Sequence, residues 1–176
     1  WNDANIGDYS TAFGSNTTAS GTAATSLGNN TTASGGSSVA IGYNATANGF
    51  AAVALGYNTA ANTDYTTAIG FGTVANSMMA IAMGQNTTAS GYGATSIGVG
   101  TISSGYFATA MGQNTTASGA ISIAMGDNSI ASASIATAMG RATTAQSYAE
   151  TTIGSYNTNA VTPTVNAWVA TDRLFT

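Results

Sequence analysis

The sequence predicts an all-β protein, a parallel β-solenoid or β-roll built from 14-residue coils. Three observations carry this. A large apolar residue followed by glycine recurs every 14 residues, eleven times and without an insertion. The residues leading up to that glycine alternate large and small apolar side chains with period two, the signature of a strand. The 176-residue chain holds only two basic and six acidic residues, 5% charged against roughly 25% in an ordinary domain. A thin coil stacked on its neighbours leaves few places for a charge.

The repeat opens on Gly14, Gly28, Gly42, Gly56, Gly70, Gly84, Gly98, Gly112, Gly126, Gly140 and Gly154. With that glycine as position 1, position 3 is Asn16, Asn30, Asn44, Asn58, Asn86, Asn114 and Asn128, and Gly72, Gly100 and Ala142 in other coils. Asparagine and glycine both tolerate the left-handed backbone region, so glycine followed two residues later by either reads as a structural turn. Position 4 carries threonine ladders such as Thr59, Thr73, Thr87, Thr101 and Thr115. Position 6 is alanine in nearly every coil, with Ser103 the exception. Position 8 is a second small residue, usually glycine, replaced by Thr63, Ser77, Ala133 and Ser147 in four coils. Positions 12 and 14 are a larger apolar or β-branched pair, as in Val39/Ile41 and Ile123/Met125, and positions 11 and 13 are mostly Ala or Ser.

Helical repeats use longer units and coiled coils use seven. Fourteen residues suit two strands of about five residues joined by two tight turns, the first strand covering positions 10 to 14. Coils stacked at about 4.8 Å would make a rod of roughly 50 Å. The predicted division is a leading segment 1–6, a β-roll over 7–160 and a connector 161–176 to a further domain. The chain opens at Trp1 rather than Met and reads as part of something longer.

Both faces of the positions 10 to 14 strand are apolar, as in strands buried on both sides. One face fills the coil's own interior; the Met83, Met111, Met125 and Met139 run at position 14 is expected to be core. The other face, with its small residues at positions 11 and 13, is either covered by another copy of the chain or tolerates solvent. The near absence of charge favours a homo-oligomer.

Composition also excludes functions. There is no His, Cys or Lys, and only Arg141 and Arg173 are basic. Two arginines supply no phosphate-binding stripe, so nucleic acid is not an expected partner. Histidine- and cysteine-based metal sites and catalytic triads are ruled out. No cofactor or enzymatic activity is expected. No run of about 18 apolar residues predicts a membrane span, so direct membrane insertion is not expected.

The unit in Ser38-Val39-Ala40-Ile41-Gly42 and Ala52-Val53-Ala54-Leu55-Gly56, followed by alanine and glycine at fixed offsets, resembles the YadA-like head repeat of trimeric autotransporter adhesins. The resemblance covers about residues 7 to 160. It implies a homotrimer of left-handed parallel β-rolls, placed outside the cell at a bacterial surface, attaching to a cell or matrix and having no catalytic activity. No autotransporter neck follows. The register slips after Gly154, Pro163 interrupts, and the tail from Ala167 to Thr176 looks like the segment that precedes a C-terminal chaperone in bacterial surface fibres and phage-type tail fibres.

Candidate recognition residues are the aromatics. Tyr43, Tyr57 and Phe71 occupy position 2 of three consecutive coils, and Phe50, Tyr92, Tyr106 and Tyr148 occupy position 9. Such rings on an uncharged surface suit a sugar or protein partner, a surface receptor, glycan or matrix protein; alternatively they stack along the outer face or against a neighbouring chain. Asp127 and Arg141, both at position 2 in adjacent coils, are expected to form a structural ion pair. The charged residues as a group are expected at the termini and on outward positions. The functional readings are an adhesive head or fibre segment, a receptor-binding fibre of a phage or phage-like injection machine, a passive spacer and, remotely, an ice-binding solenoid suggested by the position 4 threonines.

Overall fold

The computed structural model describes residues 6–157. Of the predicted division, residues 1–5, 158–160 and the whole connector 161–176 lie outside the described residues. The rest is a solenoid of two parallel sheets. Eleven five-residue strands, from Thr11–Ser15 to Thr151–Ser155, stack in chain order into one sheet. Nine two-residue strands, from Thr32–Ala33 to Thr144–Ala145, stack into the other. Each residue pairs with its equivalent 14 residues on: Phe13 with Leu27, Met83 with Ile97, Gly98 with Gly112.

The strands differ from expectation in place and length. The longer one runs from position 12 through position 2, as in Val39–Tyr43, and the shorter spans only positions 5 and 6, as in Thr46–Ala47. The repeat glycines are therefore not turn residues. Each is the fourth residue of a long strand, with φ between 113° and 135°. They are glycine because the coils meet there: a Cβ on Gly98 would lie 1.9 Å from the carbonyl oxygen of Gly112.

The turn after the long strand is made at position 3, where Asn16 to Asn128 hold φ between 51° and 55°. Their side chains continue the stacking sideways, with Asn16 Nδ2 donating to Asn30 Oδ1 at 2.6 Å and Asn44 Nδ2 to Asn58 Oδ1 at 3.0 Å. A second left-handed turn stands at position 10, where the sequence carries no such signal. Tyr65, Met79, Phe107, Ile121 and Ile135 all have φ between 51° and 62° there. This backbone costs of order 1–3 kcal/mol per non-glycine residue. Closing a 14-residue coil requires it, and each such residue gains a bond to the coil before: Ile121 N–H donates to Tyr106 O at 2.7 Å and Ile135 N–H to Ala120 O at 2.8 Å.

The interior reverses the expected assignment of faces. Alanines at positions 6, 11 and 13, such as Ala33, Ala52 and Ala54, are fully buried, and among the described residues no fully buried side chain other than Glu150 is larger than threonine. The two sheets lie too close for more. Position 14 points out: Met83, Met111 and Met125 are only half-buried and Met139 is exposed, so the methionine run is not the core of its own coil. The small residues face inward and the large ones form the outer face of the long-strand sheet. The position 4 threonines, Thr31, Thr59, Thr73, Thr87, Thr101 and Thr115, are also fully buried, which removes the ladder on which ice binding rested.

Position 13 decides how those threonines are satisfied. Where it is serine the hydroxyls pair, Ser26 with Thr31 at 2.7 Å and Ser96 with Thr101 at 2.8 Å. Where it is alanine, as at Ala54, Ala68 and Ala82, the hydroxyls of Thr59, Thr73 and Thr87 have no partner. Ala82→Ser, by completing the pair with Thr87, is expected to raise the unfolding free energy by about 1 kcal/mol. Chemical denaturation of the variant beside the parent chain checks this; no gain would contradict it.

Candidate functional site

The coil presents two corners and two outer faces, and the sequence-predicted aromatics lie on the corners. At the position 2 corner, register places Tyr43, Tyr57 and Phe71 one above another. Their rings stack with centroids 5.0 and 5.1 Å apart and nearly parallel planes, and all three are exposed. Four coils further on, Asp127 and Arg141 occupy the same position in adjacent strands. Arg141 Nε lies 3.5 Å from Asp127 Oδ2, and its guanidinium sits 5.4 Å from the centre of the Tyr156 ring. Both partners are well exposed, so the pair contributes at most about 1 kcal/mol.

The other corner is built by positions 9 and 10. Tyr92 and Tyr106 stack at 5.3 Å, and Phe107 meets the Tyr106 ring edge-on at 4.5 Å. Phe50 lies seven coils before Tyr148 and is brought to neither Tyr92 nor Tyr148; its ring partner is Tyr65, edge-on at 5.7 Å. Tyr148 stands apart and is half-buried. The residues that join this corner into a ridge are those of position 10 and Met78: Tyr65, Met79, Phe107, Ile121 and Ile135 are all exposed. Sequence reading missed them, because position 10 mixes Ala, Ser, Tyr, Met, Phe and Ile and shows no pattern.

Beside the start of that ridge is an open cleft of about 370 Å³ lined by Asn48, Gly49, Asn62, Thr63, Asp64, Asn76, Ser77 and Met78. These are positions 7 to 9 of three consecutive coils. Asn62 Nδ2 donates to Asn76 Oδ1 at 2.6 Å, and Asp64 Oδ1 accepts from the Phe50 N–H at 2.8 Å.

One charged residue departs from the expectation that all lie at the termini or face outward. Glu150 is fully buried near the end of the described solenoid, where its Oε2 accepts from the N–H groups of Gln146 at 2.7 Å and Ser147 at 2.9 Å. It braces the position 8 to 10 turn of its own coil. Among the described residues no three carboxylates gather where a metal ion would sit, and no helix is long and apolar enough to cross a membrane.

A protein-family model described as the YadA head domain repeat (2 copies) matches residues 6–31, 19–45, 33–49, 47–73, 75–101, 103–129 and 121–143. No curated protein matches the chain significantly.

Proposed function

The chain belongs to the YadA head repeat family, and on that premise we propose that it is a length of trimeric rod, extracellular and non-catalytic, that carries an attachment surface. The observation that supports this reading best is the outer face of the long-strand sheet. Leu27, Ile41, Leu55, Ile69 and Ile97 line it, with Val39 and Val53 beside them, while the interior holds little but alanine, serine and threonine. A single chain thus keeps its large apolar side chains outside its own core and leaves them partly exposed along one face, so further burial there would still be favourable. Copies packed about an axis through these faces would bury them. The family supplies the number three.

The short-strand sheet then faces out. Its position 5 residues are mostly threonine, the position 7 residues beside it are Asn or Ser except for Gln146, and the two corners flank it. Recognition belongs to these outward surfaces, and a surface receptor, glycan or matrix protein is the expected partner.

Sedimentation equilibrium is expected to give about three times the chain mass of 17.3 kDa; a stable monomer would overturn the assembly. Beads coated with the trimer are expected to adhere to cells or matrix films. An intact trimer that adheres to nothing would leave the passive-spacer reading in its place.

A further inference from the structure

We propose that the cleft between Asn48 and Met78 is a binding site for an uncharged saccharide. This rests on the attachment reading above and names the ligand class of one site within it.

Three consecutive coils leave the repeat pattern together here. Position 7 is serine in most coils but asparagine in Asn48, Asn62 and Asn76. Position 8 is usually glycine but is Thr63 and Ser77 in two of these coils, and position 9 brings in Asp64. The asparagines and Asp64 add hydrogen bonds between adjacent coils, although most other coils stack without them. They meet on one open surface cleft of about 370 Å³.

The lining has the hydrogen-bonding character a sugar requires. Ser34 Oγ donates to Asn48 Oδ1 at 2.8 Å, Asn48 Nδ2 to Asn62 Oδ1 at 3.5 Å, and Asn62 Nδ2 to Asn76 Oδ1 at 2.6 Å. The run of amides thus points one way and ends on the Asn76 amide group, whose donors have no protein acceptor. Asp64 spends one oxygen on the Phe50 N–H, leaving the other to accept from a ligand. Donors, acceptors and hydroxyls so mixed match the vicinal hydroxyls of a sugar ring, each of which both donates and accepts. Phe50 and Tyr65, next in the chain to the lining residues Gly49 and Asp64, hold exposed rings edge-to-face at 5.7 Å.

Charge narrows the class. Asp64 carries the cleft's single formal charge, with no cation among the lining residues to balance it. Sialylated or sulfated sugars would be repelled. A lone carboxylate holds a divalent ion poorly. The position 7 asparagines directly follow the short strands, so the cleft opens on the side away from the apolar face and assembly through that face leaves it accessible.

The test is calorimetric titration of the intact assembly with galactose, glucose, mannose, N-acetylglucosamine and their disaccharides, with 3′-sialyllactose as the anionic arm. At least one neutral sugar is expected to bind, and 3′-sialyllactose is not. Asp64→Asn and Asn62→Ser, each checked for unchanged circular dichroism and mass, are expected to weaken binding tenfold or more, while Arg141→Gln, in the exposed ion pair with Asp127, leaves it unchanged. No neutral sugar binding, or binding indifferent to both cleft variants, overturns the site. Bead adhesion is measured with the same proteins. Adhesion that survives both variants overturns the site and leaves the attachment reading standing; adhesion by no form of the protein removes both.

Discussion

Gly98→Ala is expected to destabilise the solenoid by more than about 4 kcal/mol, at the far end of what single substitutions do. Two penalties coincide. Gly98 has φ +131°, a region L-residues rarely adopt, and its new Cβ would stand 1.9 Å from the carbonyl oxygen of Gly112. The obstacle is backbone, fixed by its own pairing to the next coil, so relief requires the stack to open between two strands. Opening there separates the long strands Thr95–Val99 and Thr109–Gln113 along their whole length. Gly36→Ala is the control. It lies in a turn without positive φ, and its Cβ would meet the Phe50 ring at 3.2 Å and the Thr22 carbonyl oxygen at an ordinary 3.9 Å. A change within about 0.5 kcal/mol is expected there. Chemical denaturation of the two variants reads the difference; comparable stabilities would show that the glycine ladder is not what holds the coils at this spacing.

Ile97→Asp is expected to abolish the proposed assembly. Ile97 projects from the apolar face between Met83 and Met111, its register neighbours on adjacent strands. At a closed interface the new carboxylate would lose water and find no partner, a cost of several kcal/mol per copy, and a symmetric trimer incurs it three times. Ile102→Asp makes the same chemical change on the short-strand sheet, where Ile102 is exposed between Thr88 and Thr116. That variant is expected to keep the parent mass and melting temperature. Sedimentation and thermal melts of both decide the matter: if Ile97→Asp stays assembled, or if Ile102→Asp is the one that dissociates, the long-strand face is not the interface.

The period, the parallel stacking and the 14-residue register were legible in the sequence because they depend on one residue type recurring where only it fits. The asparagines of position 3 were legible for the same reason, as they advertise a left-handed backbone. Which way the long strand faces was not. Val39-Ala40-Ile41 alternates large and small, but both classes are apolar, and polarity is what ordinarily marks the outside. The separation of the two sheets decides, and it admits alanine and excludes isoleucine. The turn at position 10 was hidden because Tyr65, Met79 and Ile135 adopt φ near 60° under the demands of coil closure, against their own preference. Of the proposed saccharide site, the departures Thr63, Ser77 and Asp64 were visible one by one, and only the fold places them around one cleft.

The strict register also governs how such a molecule can change length. Every coil ends where the next can begin, on the same glycine, in the same backbone geometry. A whole unit of 14 residues can be added or removed with both junctions unaltered, moving one end of the rod by a single strand spacing of about 4.8 Å. A lone inserted residue has no such freedom, since it would turn every later side chain in its strand to the opposite face. The reach of this protein is therefore graduated, in steps the width of one hydrogen-bonded strand.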